Sequence, residues 1–298
     1  MTGTVNNRPI AAALSMLGAM AMVTFIDNFI GAISEQVSVW QFHMMRSIAM
    51  FPLILIMSFA GLGTLRPQRW LPVLARSVVI TCSMMLYFGA LGMMPIAQAV
   101  AGLFTSPIFV LLINVLVMKR RIGPWRVAAV FIGFSGILMV LQPGNESFGW
   151  QMFLPVSAGM FYAVSSIATR SWCAGESALT LLGANMVMLW LVGSVVTLAL
   201  GLSGSTGENF LNRAPTLDIM PLLPVVLLQA VGSVLGVFLI IRAYQLDEPT
   251  NVAVFEYSAL LFAPLFAFLL FGQSLGMLQA IGILMIAGAG VIIAVRST

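Results

Sequence analysis

Long apolar runs divide the chain into ten segments, separated by short clusters of glycine, proline, asparagine and charged residues. Each run approaches the roughly 20 residues that an α-helix needs to cross the hydrocarbon core of a bilayer. The pattern predicts ten membrane-spanning helices, over residues 10–33, 39–60, 73–92, 95–118, 127–141, 152–172, 179–200, 220–244, 250–271 and 275–295. The fifth run is short, and the break between the third and fourth rests on Gly92 and Pro95, so nine spans or a re-entrant loop stay open as alternatives.

Composition supports a lipid surrounding rather than an aqueous one. Of the 298 residues, 60% are hydrophobic and 7% are charged, and the mean hydropathy is +1.06. Soluble domains carry about 25% charged residues, so this chain has too few charges to cover itself in water. The same scarcity argues against nucleic acid as a partner. With one histidine and two cysteines, we expect no metal and no cofactor. We therefore predict an all-α, multi-pass protein of the inner (plasma) membrane.

The basic residues predict the orientation of the chain. With the N-terminus in the cytoplasm, eleven of the thirteen Lys and Arg residues fall in cytoplasmic segments, Arg76 among them. Arg213 falls outside and Arg46 lies within a helix. The positive-inside rule expects this bias, and one miscounted helix would destroy it, so we expect both termini in the cytoplasm. Tryptophans near the predicted span ends are typical of an interfacial belt: Trp40, Trp70, Trp125, Trp150 and Trp172.

The two halves of the chain show weak internal similarity. Shifting residues 90–140 by 153 positions superposes several identical residues, for example Phe109 on Phe262. The order of apolar runs supports the same division, into repeats of five helices at 1–145 and 146–298. Because five is odd, the second repeat enters the membrane upside down. Inverted repeats are common in secondary transporters, which bind their substrate near the midplane between the halves.

Several segments resemble one family along the whole chain. FHMMRSIAMFPL contains Arg46, and YFGALGMMPIAQAVAGLFTSPIFVLL and LLFGQSLGMLQAIGILMIAGAGVII follow later. These segments are similar to the second helix, the third and fourth helices and the final helix pair of EamA-type proteins of the drug/metabolite transporter superfamily. The resemblance implies ten helices in a 5+5 arrangement. The family often has Gly-Glu near the ends of the fourth and ninth helices, where this chain has Lys119-Arg120 and Gly272-Gln273, so no role for that glutamate is carried over.

Ionisable side chains inside spans are candidate functional residues, because each costs about 2.5–3.5 kcal/mol at the bilayer centre. Asp27 and Arg46 lie in the first two predicted helices, and both are roughly 10 Å below the outer surface at 1.5 Å per residue. Either they form a structural pair, or Arg46 attracts an anionic or carbonyl-bearing group of a substrate. His43 lies on the same helical face as Arg46, as a packing residue or as a further contact.

Glu256 lies about six residues into the predicted ninth helix from the cytoplasmic side. An ion pair with Arg242 at the same membrane face would make Glu256 structural. Alternatively, a carboxyl group buried in a helix bundle takes up and releases a proton, and so serves as a coupling site. The surrounding segment, FEYSALLFA, is similar to one in family members that handle cofactor-like molecules, which favours the second interpretation. The neighbouring Tyr257 points about 100° away around the helix.

Uncharged polar residues within the predicted spans add further candidates. Such side chains either bridge helices or line a substrate path. They are Asn28, Gln98, Asn114, Tyr162, Asn185 and Gln229. We expect two or three of them to touch substrate, and we favour Tyr162 because it lies near the middle of its span.

These features predict a secondary transporter, not an enzyme, that moves a small organic metabolite across the membrane by alternating access. Among relatives, the ninth-helix segment is most similar to importers of riboflavin or S-adenosylmethionine, and export of amino acids or drugs is the alternative. An integral membrane enzyme is the remaining class, although the sequence contains no H-E-x-x-H, G-x-S-x-G or Walker motif. The expected partners are the small-molecule substrate and the lipid bilayer, with proton coupling and a homodimer left open.

Overall fold

A computed structural model of the chain describes residues 8–117, 119, 123–142 and 149–295. Its α-helices agree with the predicted all-α class. They are α1 (Pro9–Asp27), α2 (Ile30–Ser34), α3 (Val39–Phe59), α4 (Trp70–Leu91), α5 (Ile96–Leu103), α6 (Ser106–Leu116), α7 (Pro124–Leu141), α8 (Phe153–Ser171), α9 (Ala178–Leu202), α10 (Leu223–Leu246), α11 (Pro249–Glu256), α12 (Ala259–Phe271) and α13 (Met277–Val295).

Within the described residues, seven helical segments are long and apolar enough to cross a membrane by length and composition. They comprise α1 with α2, α3, α4, α5 with α6, α8, α9 and α10. Three shorter apolar helices lie where the other predicted spans were placed, at Val127–Val140, Ala259–Phe271 and Met277–Ala289. The apolar runs therefore located the helices well, and the total of ten crossings stays a prediction.

Three runs that were predicted as continuous helices are interrupted, between α1 and α2, α5 and α6, and α11 and α12. Pro107, near the start of α6, has no N–H to donate to the carbonyl of Leu103 four residues earlier. Before the first break, the Thr24 hydroxyl donates to the carbonyl of Met20 (2.6 Å), and the Asn28 amide donates to the carbonyl of Thr24 (2.7 Å). Such side-chain bonds compete with helical backbone bonds, so the breaks have local causes at these two places.

Glycines let several helices pack backbone to backbone. A β-carbon built on Gly136 of α7 would lie 2.6 Å from the carbonyl oxygen of Gly282 on α13, and one on Gly282 would lie 2.5 Å from that of Gly136. A β-carbon on Gly193 of α9 would lie 2.6 Å from the carbonyl oxygen of Trp40 on α3. Small residues at such crossings are typical of helix association in membranes.

One end of the bundle, the Phe210 end, is covered by the loop between α9 and α10. The Trp40 indole donates to the carbonyl of Leu211 (2.8 Å), although it was predicted to lie in the interfacial belt. The Gln41 side chain donates to the carbonyl of Thr216 (2.6 Å) and accepts from its backbone N–H (3.0 Å). Phe210 itself is buried in the core, so this loop seals the Phe210 end.

The opposite end, the Glu176 end, is closed by contacts between the α3–α4 and α8–α9 loops. The Glu176 carboxylate accepts from the backbone N–H groups of Gln68 (3.0 Å) and Arg69 (2.7 Å). In return the Arg69 guanidinium donates to the carbonyl of Trp172 (2.8 Å) at the end of α8. The Glu176 carboxylate thus lies at the N-terminus of α4 and the Arg69 guanidinium at the C-terminus of α8. These are the charges that the free N–H and C=O groups at those termini favour. With this cap in place, α4 begins at Trp70, before the predicted start at residue 73.

Candidate functional site

A cavity lies inside the bundle, between α1, α3, α4, α5, α8, α9 and α10, with a volume of about 80 Å³. Sites for small molecules typically combine apolar walls with a few polar groups and measure roughly 300–1,000 Å³, so this closed cavity must widen to hold a metabolite. Methionine, leucine, isoleucine and valine side chains form half of its lining. The polar lining residues are Thr24, Asp27, Arg46, Arg76, Tyr87, Tyr162, Ser165, Asn185 and Ser233.

Arg46 is 3% exposed and is held from three sides. Its Nη1 donates to the Ser233 hydroxyl (3.3 Å) and its Nη2 to His43 Nδ1 (3.1 Å). The guanidinium lies 4.6 Å from the ring centre of Phe88 and 5.3 Å from that of Phe42, which gives cation–π stabilisation. His43 therefore positions Arg46, which lines the cavity and whose Nε–H has no partner among the described residues.

Asp27 lies at the last position of α1, at the first helix break. Its Oδ2 accepts a hydrogen bond of 2.7 Å from the Tyr87 hydroxyl, and both residues line the cavity. The structure thus brings Asp27 and Arg46 to one cavity, and their hydrogen bonds run to different partners. A buried carboxylate and a buried guanidinium in one low-dielectric space interact strongly even without direct contact.

Glu256 lies at the last position of α11, at the third helix break, and is 0% exposed. Its carboxylate accepts hydrogen bonds from Ser106 on α6 (3.2 Å) and Tyr244 on α10 (2.5 Å). The Tyr162 hydroxyl also faces it, without a hydrogen bond of standard geometry. Arg242 is exposed, and the described groups that bond or face Glu256 are hydroxyl groups. Since Tyr162 lines the cavity, it lies between that space and Glu256.

The other predicted site residues divide between the cavity and the packing around it. Asn185 lines the cavity, and its Oδ1 has no hydrogen-bond partner. Gln229 is fully buried and donates to a backbone carbonyl of α1 at 2.6 Å, so it bridges α10 to α1. Gln98 on α5 is half-buried, and Tyr257 is buried at the third break; both lie outside the cavity lining.

Five polar side chains of the cavity were not predicted from the sequence: Thr24, Arg76, Tyr87, Ser165 and Ser233. Arg76 was counted with the cytoplasmic basic residues although it lies within the predicted span 73–92, and the structure buries it in the cavity lining. Arg76 is 4% exposed, with Nε donating to the Thr169 hydroxyl (2.9 Å) and Nη1 to the carbonyl of Leu181 (3.3 Å). Tyr87 was also missed, although a lone tyrosine in an apolar run was a usable signal.

Comparison with known proteins agrees with the predicted family. Residues 10–142 match the model of the EamA-like transporter family. A riboflavin transporter of Rhizobium johnstonii is 30% identical over 176 residues, which cover 59% of this chain and 57% of that protein. A riboflavin transporter of Brucella anthropi is 27% identical over 216 residues, 72% of this chain and 73% of that protein. An S-adenosylmethionine uptake transporter of Rickettsia bellii is 23% identical over 227 residues, 76% and 72% of the two chains.

A solved crystal structure shares the fold. It superposes with a TM-score of 0.71 over 95% of this chain and 96% of that chain, at 15% sequence identity. The family match and the apolar helices together confirm a multi-pass protein of the plasma membrane. The stretch shared with the Rhizobium protein spans little more than half of that protein's length.

Proposed function

We propose that this chain, which carries an EamA-like transporter domain in residues 10–142, is a secondary transporter for a small organic metabolite. The observation that carries the proposal is the cavity, which lies between two closed ends and contains buried polar atoms that have no partner in the described part of the chain. They include Arg46 Nε, Ser165 Oγ and Asn185 Oδ1. Buried polar atoms usually find hydrogen-bond partners, and a polar substrate supplies them here.

The proposed architecture has ten crossings as two inverted repeats, residues 1–145 and 146–298, with the Glu176 end in the cytoplasm. Two features support the repeats. The helix breaks at 104–105 and 257–258 are separated by 153 residues, the same shift that aligns the two halves of the sequence. The last helices of the two repeats, α7 and α13, also pack closely against each other, at Gly136 and Gly282.

The proposed substrate class is a cofactor-like compound, with riboflavin as the first candidate and S-adenosylmethionine as the second. The named functions of the relatives support this choice. The cavity supports it too, since apolar walls and the ring of Phe88 suit a flat heterocycle, and Arg46 and Asn185 suit its polar edge. Transporter relatives favour this reading over a membrane enzyme.

We further assign proton coupling to Glu256. Its hydrogen-bond partners are hydroxyl groups, so neither protonation state is fixed by a cation. Tyr162 faces both the cavity and this carboxylate. A substrate that contacts Tyr162 can therefore change how readily Glu256 binds a proton. This relation is what a coupled transporter needs.

Uptake by a riboflavin auxotroph tests the proposed function. Cells expressing the chain are given labelled riboflavin at limiting concentration, beside cells expressing Arg46→Ala at equal membrane level. Saturable uptake that the variant loses is the expected result. No uptake of riboflavin or of labelled S-adenosylmethionine by the wild type would contradict the import proposal, and efflux of amino acids would then be measured.

A further inference from the structure

Arg76 is a second buried guanidinium in the cavity, far from Arg46. Arg46 is near the start of α3 and Arg76 near the start of α4, and these consecutive helices begin at opposite ends of the bundle. Because α3 has 21 residues, the 1.5 Å rise per residue places the two arginines roughly 10 Å apart along the helix axes. The cavity therefore contains one cation towards the Phe210 end, Arg46, and another towards the Glu176 end, Arg76.

The hydrogen bonds of Arg76 go to uncharged oxygen atoms, the Thr169 hydroxyl and the Leu181 carbonyl. Both partners belong to α8 and α9, the two helices that pack directly against α4. A buried charge without an opposite charge beside it is costly. Arg69, which braces the same end of the bundle, avoids that cost because it is exposed to solvent. A side chain that only holds helices together does not need to carry a charge. Arg76 brings a charge into the cavity, which points to a further role.

Two buried polar atoms of the cavity lining, Ser165 Oγ and Asn185 Oδ1, have no hydrogen-bond partner among the described residues, and the Tyr162 hydroxyl lies between the cavity and Glu256. These three residues belong to α8 and α9, the two helices that Arg76 contacts, and they line the same cavity. We call Arg76, Tyr162, Ser165 and Asn185 the Arg76 subsite. It combines a fixed cation and two hydroxyl groups, which recognise a hydrogen-bond acceptor with negative charge, with an amide whose Oδ1 accepts a hydrogen bond from a donor of the substrate.

We propose that the Arg76 subsite binds the acceptor group of the substrate, a carboxylate or a conjugated ring carbonyl, with Arg76 as the residue that determines this specificity. The inference rests on the proposed transport function and deepens it. When substrate binds, Arg76 gains an acceptor, and its hydrogen bonds to α8 and α9 weaken. Since those helices flank the Glu176 end, substrate binding favours opening of that end.

Binding to the purified full-length protein tests this assignment. Labelled riboflavin and labelled S-adenosylmethionine are titrated against the wild type, Arg76→Gln and the control Arg66→Gln, whose side chain is exposed on a loop. Charged hydrogen bonds predict that Arg76→Gln weakens binding about 10- to 100-fold, with Arg66→Gln unchanged. A second pair uses Ser165→Ala, which removes no internal hydrogen bond, against Ser171→Ala, whose hydroxyl bonds its own helix.

The outcomes separate the two acceptor chemistries. If S-adenosylmethionine binds at least tenfold more tightly than its decarboxylated analogue and Arg76→Gln removes that preference, the acceptor is a carboxylate. If riboflavin binds and Arg76→Gln weakens it, the acceptor is a ring carbonyl. Wild-type affinity in both Arg76→Gln and Ser165→Ala, with binding lost in Arg46→Gln, would overturn the subsite and leave Arg76 as a brace. A wild type that binds neither ligand would overturn the proposed function itself.

Discussion

Hydroxyl groups from three helices face the Glu256 carboxylate. Because these neighbours are uncharged, a substitution at Glu256 tests proton coupling directly. Glu256→Gln keeps the hydrogen-bond acceptor and removes the titration, so we expect substrate exchange to continue while accumulation driven by a pH gradient is lost. Reconstituted vesicles with an imposed pH gradient measure both activities. Glu248→Gln, on the loop before α11, is the control and should behave as wild type. Accumulation by Glu256→Gln at the wild-type level would assign coupling elsewhere.

The Asp27–Tyr87 hydrogen bond predicts a stability difference between two tyrosines. Tyr87→Phe leaves a buried carboxylate without its donor, which costs about 1–3 kcal/mol. Tyr257→Phe is the matched control, because the Tyr257 hydroxyl makes no hydrogen bond within the described part of the chain and the residue is equally buried. Thermal unfolding in detergent should show a lower midpoint for Tyr87→Phe alone. Equal midpoints for the two variants would show that the bond contributes little.

The sequence identified those site residues whose chemistry is unusual in an apolar run. Asp27, Arg46 and Glu256 stand out because a charge is rare there. Arg76 was missed because it lies near the start of its predicted span and was counted with the cytoplasmic basic residues; that its side chain turns into the bundle depends on partners about 100 residues away in the chain, Thr169 and Leu181. The cavity serines gave no usable signal, since hydroxyl side chains are frequent in spans and most bond their own helix.

At the scale of helices, the reciprocal contact between Gly136 and Gly282 predicts that α7 and α13 tolerate no side chain at their crossing. Gly282→Ala should force these helices apart, because its β-carbon would meet a backbone carbonyl at 2.5 Å. Gly288→Ala on the same helix is the control, since a β-carbon there meets nothing within 4 Å. We expect overpacking to cost about 1–3 kcal/mol, seen as a lower unfolding midpoint for Gly282→Ala. Indistinguishable midpoints would contradict the close crossing.

The positions of the helices followed from hydropathy, and their interruptions did not. The run at 95–118 is apolar throughout, so its average gives no sign that the chain breaks between α5 and α6. Pro107 was visible in the sequence, but a proline also fits the first turn of a helix. The third break, between α11 and α12, contains neither proline nor glycine. These breaks matter because two of them carry Asp27 and Glu256 at helix termini inside the bundle.

At the scale of the whole molecule, Cys173 reports on the Glu176 end. It is fully buried, and burial raises the pKa of its thiol, so we expect slow reaction with thiol reagents at neutral pH. Glu176→Gln weakens the bonds to Gln68 and Arg69 and, in inside-out membrane vesicles that expose the cytoplasmic side, should increase labelling of Cys173 by a membrane-impermeant maleimide several-fold. Cys82 faces outward from α4 and should stay unlabelled in a bilayer. Cys173→Ser is the control, and labelling unaffected by Glu176→Gln would contradict the proposed closure.

Counterflow in proteoliposomes tests the central claim, that one cavity is presented alternately to the two sides of the membrane. Vesicles containing the purified chain are preloaded with unlabelled riboflavin or S-adenosylmethionine and diluted into a trace of the labelled compound. An alternating-access transporter with this site gives transient accumulation of label for at least one compound in the wild type, and Arg46→Ala abolishes it. Equilibration without an overshoot would indicate a passive pore, and an overshoot unchanged in Arg46→Ala would place the substrate site outside this cavity.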